Sequence, residues 1–111
     1  MAATQEAVLL RVFISERARH EGHPLYEAIV RAARDASLAG ATVLRGVMGY
    51  GHSGRIETAK ILDLSDDLPL VVEIVDAEAK VEAFLPALQA MGAGVVTLEK
   101  VRVLKGGDLL R

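Results

Sequence analysis

Leu70-Val71-Val72-Glu73-Ile74-Val75-Asp76, then Val81, Phe84, Leu85, Leu88 and Met91, then Val95–Leu104: the order of these three groups decides the fold. The first is a run of β-branched and apolar residues and reads as a strand over Leu70–Val75. The second recurs at i, i+3, i+4 and i+7, the spacing of the buried stripe of a helix. Asp76 is expected to cap that helix, Pro86 to kink it, and Gly92 and Gly94 to end it. Val95–Leu104 follows as a last strand. The same β-α-β order stands upstream. Val8–Ser15 alternates Val8, Leu10, Val12 and Ile14 on one side with Leu9, Arg11 and Phe13 on the other, so both faces are nearly apolar and both call for cover. Glu16–His23 reads as a polar connection, and Pro24 suits a first helical position, where its missing N–H is not needed. Leu25, Ala28, Ile29, Ala32, Ala33 and Ala36 then repeat at helical spacing, with Glu27, Arg31, Arg34 and Asp35 on the opposite side and Gly40 as the expected stop. Ala41–Tyr50 is β-like, and Gly46 inside it marks a bulge or a close backbone approach.

Two β-α-β units joined by a long loop give the split βαβ, ferredoxin-like βαββαβ sandwich, an α+β fold with an antiparallel four-stranded sheet and two helices on one face. The expected organisation is a single domain over 1–111, with a core about 8–104, a long loop over 51–68 and a flexible tail over 105–111. The helix-free sheet face needs cover of its own. Packing of that face against other copies in a closed cyclic assembly is the expected solution.

Composition narrows the function. Cysteine is absent from the 111 residues, which removes disulfides, thiol nucleophiles and soft metal ligands. Aromatic residues make up 4%, too few to build stacking platforms for bases, and a formal charge of -2 gives no basic excess to track a phosphate backbone. Nucleic acid is therefore not an expected partner. No apolar run approaches the roughly 20 residues of a membrane span, and Met1–Ala7 is too short and polar for a secretory signal, so a cytoplasmic protein without direct membrane insertion is expected.

The loop carries the chemistry that composition allows. Gly49-Tyr50-Gly51-His52-Ser53-Gly54-Arg55 brings three glycines, whose backbone a ligand can approach closely, beside His52 and Arg55, which can meet an anion; Arg45 lies just upstream. A loop longer than about 12–15 residues is usually functional or disordered. Gly92-Ala93-Gly94 matches neither a Walker nor a Rossmann pattern, because it leaves a helix instead of starting one, and reads first as a helix C-cap. His20, His23 and His52 have no metal-ligand spacing. The serines lack a G-x-S-x-G elbow and nothing marks a base beside them, so no catalytic residue is assigned.

Three separated stretches resemble a known family. Glu16 and His20-Glu21-Gly22-His23-Pro24-Leu25-Tyr26, then Gly40-Ala41-Thr42-Val43-Leu44-Arg45-Gly46-Val47-Met48-Gly49-Tyr50-Gly51, then Asp67-Leu68-Pro69-Leu70-Val71-Val72-Glu73-Ile74-Val75-Asp76 are similar to the PII-like proteins grouped as domain-of-unknown-function family 190, over about Leu9 to Val103. The resemblance extends to the PII signalling proteins and the CutA proteins, which are ferredoxin-like trimers. PII proteins bind adenine nucleotides between subunits and dock a long loop on transporters or enzymes. The resemblance therefore implies a homotrimer, a ligand in inter-subunit clefts and a regulated partner protein such as a membrane transporter or channel.

By that match Thr42 and Gly49–Gly51 flank the ligand, Gly92 and Gly94 stand where PII has its phosphate turn, and Arg102 and Lys105 stand near its C-terminal arginines. The phosphate-turn lysine of PII has no counterpart here, which points to an adenine nucleotide or related anion and not to ATP in particular. Acylphosphatase, an enzyme of similar size and fold, requires an asparagine to orient water, and the chain has none. The expected function is thus non-enzymatic regulation. A CutA-like metal-binding trimer, or a structural trimeric scaffold without a nucleotide, is the alternative.

Overall fold

The computed structural model describes residues 3–59 and 67–104. In chain order these form β1 (Thr4–Ser15), β2 (Arg19–His20), β3 (His23–Pro24), α1 (Leu25–Asp35), β4 (Thr42–Arg45), β5 (Met48–Gly49), β6 (Glu57–Thr58), β7 (Pro69–Asp76), α2 (Glu78–Ala90) and β8 (Val95–Leu104). The main sheet runs β4-β7-β1-β8, and every neighbouring pair is antiparallel. This is the expected α+β sandwich. Two short ribbons, β2 with β3 and β5 with β6, stand apart from it.

Alternation along the two central strands sorts their side chains. Val8, Leu10 and Val12 of β1 and Leu70, Val72 and Ile74 of β7 are buried. Each lies opposite a partner of the same parity, as in Leu10 with Ile74 and Val12 with Val72, so one face is continuously aliphatic. Leu25, Ile29 and Ala33 of α1 and Val81, Phe84 and Leu88 of α2 close over it. Fully burying one such Leu, Ile or Phe contributes about 1.5–3 kcal/mol. On the opposite face Leu9, Phe13, Val71 and Val75 are only partly covered or exposed, and Arg11 lies among them with its Nε 2.9 Å from Glu73 and a terminal nitrogen 3.5 Å from Glu99.

Several local expectations are corrected. The polar connection over Glu16–His23 contains a hairpin, because Glu21 at φ 50° and Gly22 at φ 82° form its two-residue turn. The first helix ends at Asp35, short of Gly40. Ser37 adopts φ 61° there, and the N–H groups of Ser37 and Leu38 donate to the carbonyls of Arg34 and Ala33, the double bond of a Schellman end with serine in place of glycine. The β-like run over Ala41–Tyr50 is two strands broken at Gly46.

Asp76 does not cap α2; Ala77 holds the N-cap position. Parity explains the difference. Asp76 continues Leu70, Val72 and Ile74 on the helix-facing side and is 1% exposed. Its carboxylate accepts the N–H of Ala77 at 2.7 Å and of Ala39 at 2.9 Å, with Lys80 Nζ 3.6 Å away. Lys80 also donates to the Ser37 carbonyl. One buried carboxylate thus ties the α1–β4 connection to the start of α2.

Gly46 is the close approach its sequence position suggests. Its N–H donates to the Pro69 carbonyl at 2.7 Å, and a Cβ added there would stand 2.9 Å from Pro69 Cγ and 3.2 Å from the Pro69 oxygen. A Cβ added at Gly49 would meet the same ring, 3.0 Å from Cγ.

Replacing Asp76 with alanine removes the acceptor of two part-buried N–H groups and is expected to destabilise the fold by about 1–3 kcal/mol in denaturant titration. Gly46→Ala is expected to lose about 1–3 kcal/mol, because the carbonyl it meets belongs to the backbone. Gly51→Ala, with nothing within 4 Å of the added carbon, is expected to change stability by less than about 0.5 kcal/mol; equal losses at the two glycines would contradict the packing on Pro69.

Candidate functional site

Arg45, Gly49–Arg55 and the Gly92–Gly94 turn lie toward one end of the sheet. There β1 ends with Ser15 opposite Pro69, β4 ends with Arg45 opposite Leu70, and β8 begins with Val95 opposite Phe13. Pro69 anchors the loop root at this end through Gly46 and Gly49. Beyond the root, Met48 pairs with Thr58 and Gly49 with Glu57, and Ala59 N–H donates to the Val47 carbonyl at 2.8 Å. The expected irregular loop over 51–68 therefore begins as the far half of a hairpin, and residues 60–66 of it lie outside the described residues.

The hairpin tip is built from the glycine-rich run. Gly54, at φ 74°, donates its N–H to the Gly51 carbonyl at 2.9 Å, and Arg55 N–H donates to Ser53 Oγ at 3.2 Å. Arg55 Nε lies 3.0 Å from Glu57 Oε1, with the Glu57 side chain only 15% exposed. Val47, Met48, Tyr50 and Ile56 are all strongly exposed, and His52 sits at the tip. An extended ribbon with so much apolar surface in water has the composition of a contact surface.

A small polar network holds the root. Glu16 N–H donates to the Leu68 carbonyl at 3.0 Å, and its carboxylate accepts Arg45 Nη2 at 3.0 Å and Leu68 N–H at 3.4 Å. Asp67 accepts the Ser15 hydroxyl and the Arg17 N–H. Glu16, Asp67 and Pro69 are the positioning residues that reading for ligand contacts overlooks. All three stand in the motifs quoted for the family resemblance, which was the available signal.

Gly92 and Gly94 lie at the same end but on the far edge. Gly92, at φ 74°, and Ala93 donate to the carbonyls of Gln89 and Leu88, which makes the turn the C-cap its sequence suggests. A Cβ at Gly94 would stand 3.4 Å from the Phe13 carbonyl oxygen, so this turn rests on the end of β1. Strands β7 and β1 separate it from the hairpin root, a span of about 14 Å at the usual strand spacing.

The remaining candidates are dispersed. Thr42 lies opposite Glu73 on the open face, three residues back along β4 from Arg45. Arg102 lies opposite Glu6, about 24 Å along β8 from Val95 at the usual rise per residue. It lines a surface recess of about 440 Å³ with Glu6, Ala7, Glu78, Lys100 and Val101. Lys105 falls outside the described residues. His20 and His23 pair across the small hairpin, with His20 Nε2 3.8 Å from Glu21, and no group of three or more metal-binding side chains forms among the described residues. No helix among them is long and apolar enough to cross a membrane.

Comparison with known proteins places this geometry. A protein of Aquifex aeolicus named UPF0166 protein is 42% identical over 96 residues, covering 86% of this chain and 91% of its own. Among solved structures, CPII of Thiomonas intermedia K12, a nitrogen regulatory PII-like protein bound to ADP, AMP and bicarbonate, superposes with a TM-score of 0.69 at 16% identity over 100% of both chains. CutA1 of Oryza sativa superposes with a TM-score of 0.56 at 14% identity, over 94% of this chain and 85% of its own. The profile of DUF190, described as Uncharacterized ACR, matches residues 7–103. This chain belongs to the DUF190 family and shares its fold with the PII-like and CutA proteins.

Proposed function

We propose that this is a PII-like regulatory protein of the cytoplasm. It binds a small ligand, an adenine nucleotide or a related anion, in clefts between three copies of the chain, and acts on a partner protein through the hairpin that begins at Gly46. The observation that carries this reading is the division of the candidate site. The Gly46–Gly51 root and the Gly92–Gly94 turn share one end of the sheet but occupy opposite edges, so a cleft lined by both forms where the β4 edge of one copy meets the β8 edge of the next.

The open sheet face supports assembly. Leu9, Phe13, Leu44, Val71 and Val75 give it apolar contact area around the Arg11–Glu73 ion pair. An area of this kind on a small domain is the usual core of a contact between copies. The nucleotide-bound state of CPII supports an adenine nucleotide as the first ligand to test. At the hairpin, the exposed Met48, Tyr50 and Ile56 supply the apolar part of a partner contact. The partner is a regulated protein such as a transporter or channel.

Thermal unfolding with ATP, ADP and AMP, each with and without Mg²⁺ and bicarbonate, tests the ligand. A nucleotide at about 100 times its dissociation constant stabilises the folded state by about 2.7 kcal/mol. A raised midpoint with one of them is the expected result, and no change in assembled protein favours a scaffold without a nucleotide. Phe13→Glu, which places a charge on the open face, is expected to yield smaller species in sedimentation velocity; an unchanged sedimentation coefficient would remove that face from the interface.

A further inference from the structure

We propose that Glu16 is an intramolecular competitor for the anion seat at Arg45. The inference rests on the reading of this end of the sheet as an anion site and adds to it the residue that sets its affinity. Arg45 ends β4 beside Gly46, where the backbone departs from the sheet toward the hairpin. Its side chain is 55% exposed, and the carboxylate 3.0 Å from its Nη2 belongs to Glu16, whose side chain is 28% exposed. An incoming phosphate or carboxylate group that engages the Arg45 guanidinium must displace Glu16 or share the fork with it.

The geometry lets that exchange proceed without leaving a buried charge unpaired. Once Arg45 departs, the Glu16 carboxylate still accepts the Leu68 N–H, and the Glu16 N–H still donates to the Leu68 carbonyl. A half-exposed ion pair of this kind is weak and biases an equilibrium by about fivefold at most. It is therefore strong enough to set a threshold and weak enough to yield to a ligand. Arg11 on the open face differs, because two carboxylates, Glu73 and Glu99, hold it.

The displacement also reaches the hairpin. Glu16 spans the end of β4 and the residue before Pro69, and Pro69 carries Gly46 and Gly49. Freeing Arg45 removes the side-chain bond that joins the hairpin's entry strand to the segment its root rests on. Anion binding and hairpin mobility are thus linked through one carboxylate.

The test is titration of the full chain with inorganic phosphate at constant ionic strength, observing the Arg45 Nε–H and Leu68 amide resonances in the wild type and in Glu16→Gln. The expected result is phosphate binding at Arg45 about three- to fivefold tighter in Glu16→Gln, with the Leu68 amide shifting in the wild type as Arg45 leaves the carboxylate oxygen that the two share. Glu16→Asp, which retains the charge but withdraws it from Arg45, is expected to shift binding the same way and serves if the glutamine variant does not fold. Equal or weaker binding in the variants, or no response at Arg45 in any of them, overturns the proposal. A parallel ADP titration separates it from the nucleotide reading: phosphate behaving as expected while ADP leaves Arg45 untouched upholds the Glu16 competition and removes the nucleotide from this seat.

Discussion

The antiparallel pairing of β1 with β7 is the constraint on which the rest of the molecule depends. Its register sets Leu10 against Ile74 and Val12 against Val72, giving the helices one aliphatic face to cover. A slip of one residue would turn Arg11 and Glu73 into that core and expose Leu10 and Val72. The same register ends the pair with Ser15 opposite Pro69. It thereby fixes where the Glu16 and Asp67 side chains meet neighbouring backbone and where Gly46 and Gly49 come close to the Pro69 ring. Fold and candidate site are set by a single choice of pairing.

At the other end of β7 the register has the opposite kind of consequence. Parity sends Asp76 inward, and a carboxylate in an aliphatic interior is tolerated only because two backbone N–H groups and the Lys80 ammonium surround it. That end is consequently tied together by one buried carboxylate that bonds both the α1–β4 connection and the start of α2. The end bearing Pro69 keeps the Gly46–Pro69 and Glu16–Leu68 backbone bonds and adds side-chain contacts that remain partly exposed, such as Arg45 with Glu16. Contacts of the first kind open only with much of the structure, whereas contacts of the second kind open locally. The difference in solvent access separates a fixed end from an adjustable one.

This contrast also explains what the sequence could disclose. The β-α-β doubling, the buried stripe of Val81, Phe84 and Leu88, and the close approach at Gly46 are legible because each rests on period or on the special freedom of glycine. Asp76 reads as a cap because a strand-terminal aspartate before a helix has the same pattern whether its side chain turns back to cap or turns in; only the parity of Leu70, Val72 and Ile74 distinguishes the two. Ser37 concealed the end of α1, because a left-handed residue that is not glycine leaves no mark in the sequence. The β5–β6 ribbon leaves no trace in the sequence, since two-residue strands are too short for alternation to register. Arg45 and Arg55 are legible as candidate cations, but their partners Glu16 and Glu57 are set by tertiary pairing and by a turn that periodicity does not describe.

The separation of the Gly46–Gly51 root from the Gly92–Gly94 turn follows from topology. In the order β4-β7-β1-β8 the outer strands can never adjoin within a chain, so glycine-bearing turns on both edges come together only when the edges of two chains do. A ligand held between them would contact both copies and would bind the assembled form more tightly than the separated chain. By linkage such a ligand strengthens the assembly to the same extent that assembly strengthens its binding. In such an assembly the hairpin would depart from Gly46 at one lip of the cleft, so ligand occupancy, subunit contact and the presentation of Met48, Tyr50 and Ile56 would become coupled quantities, with the Arg45–Glu16 contact placed where the three meet.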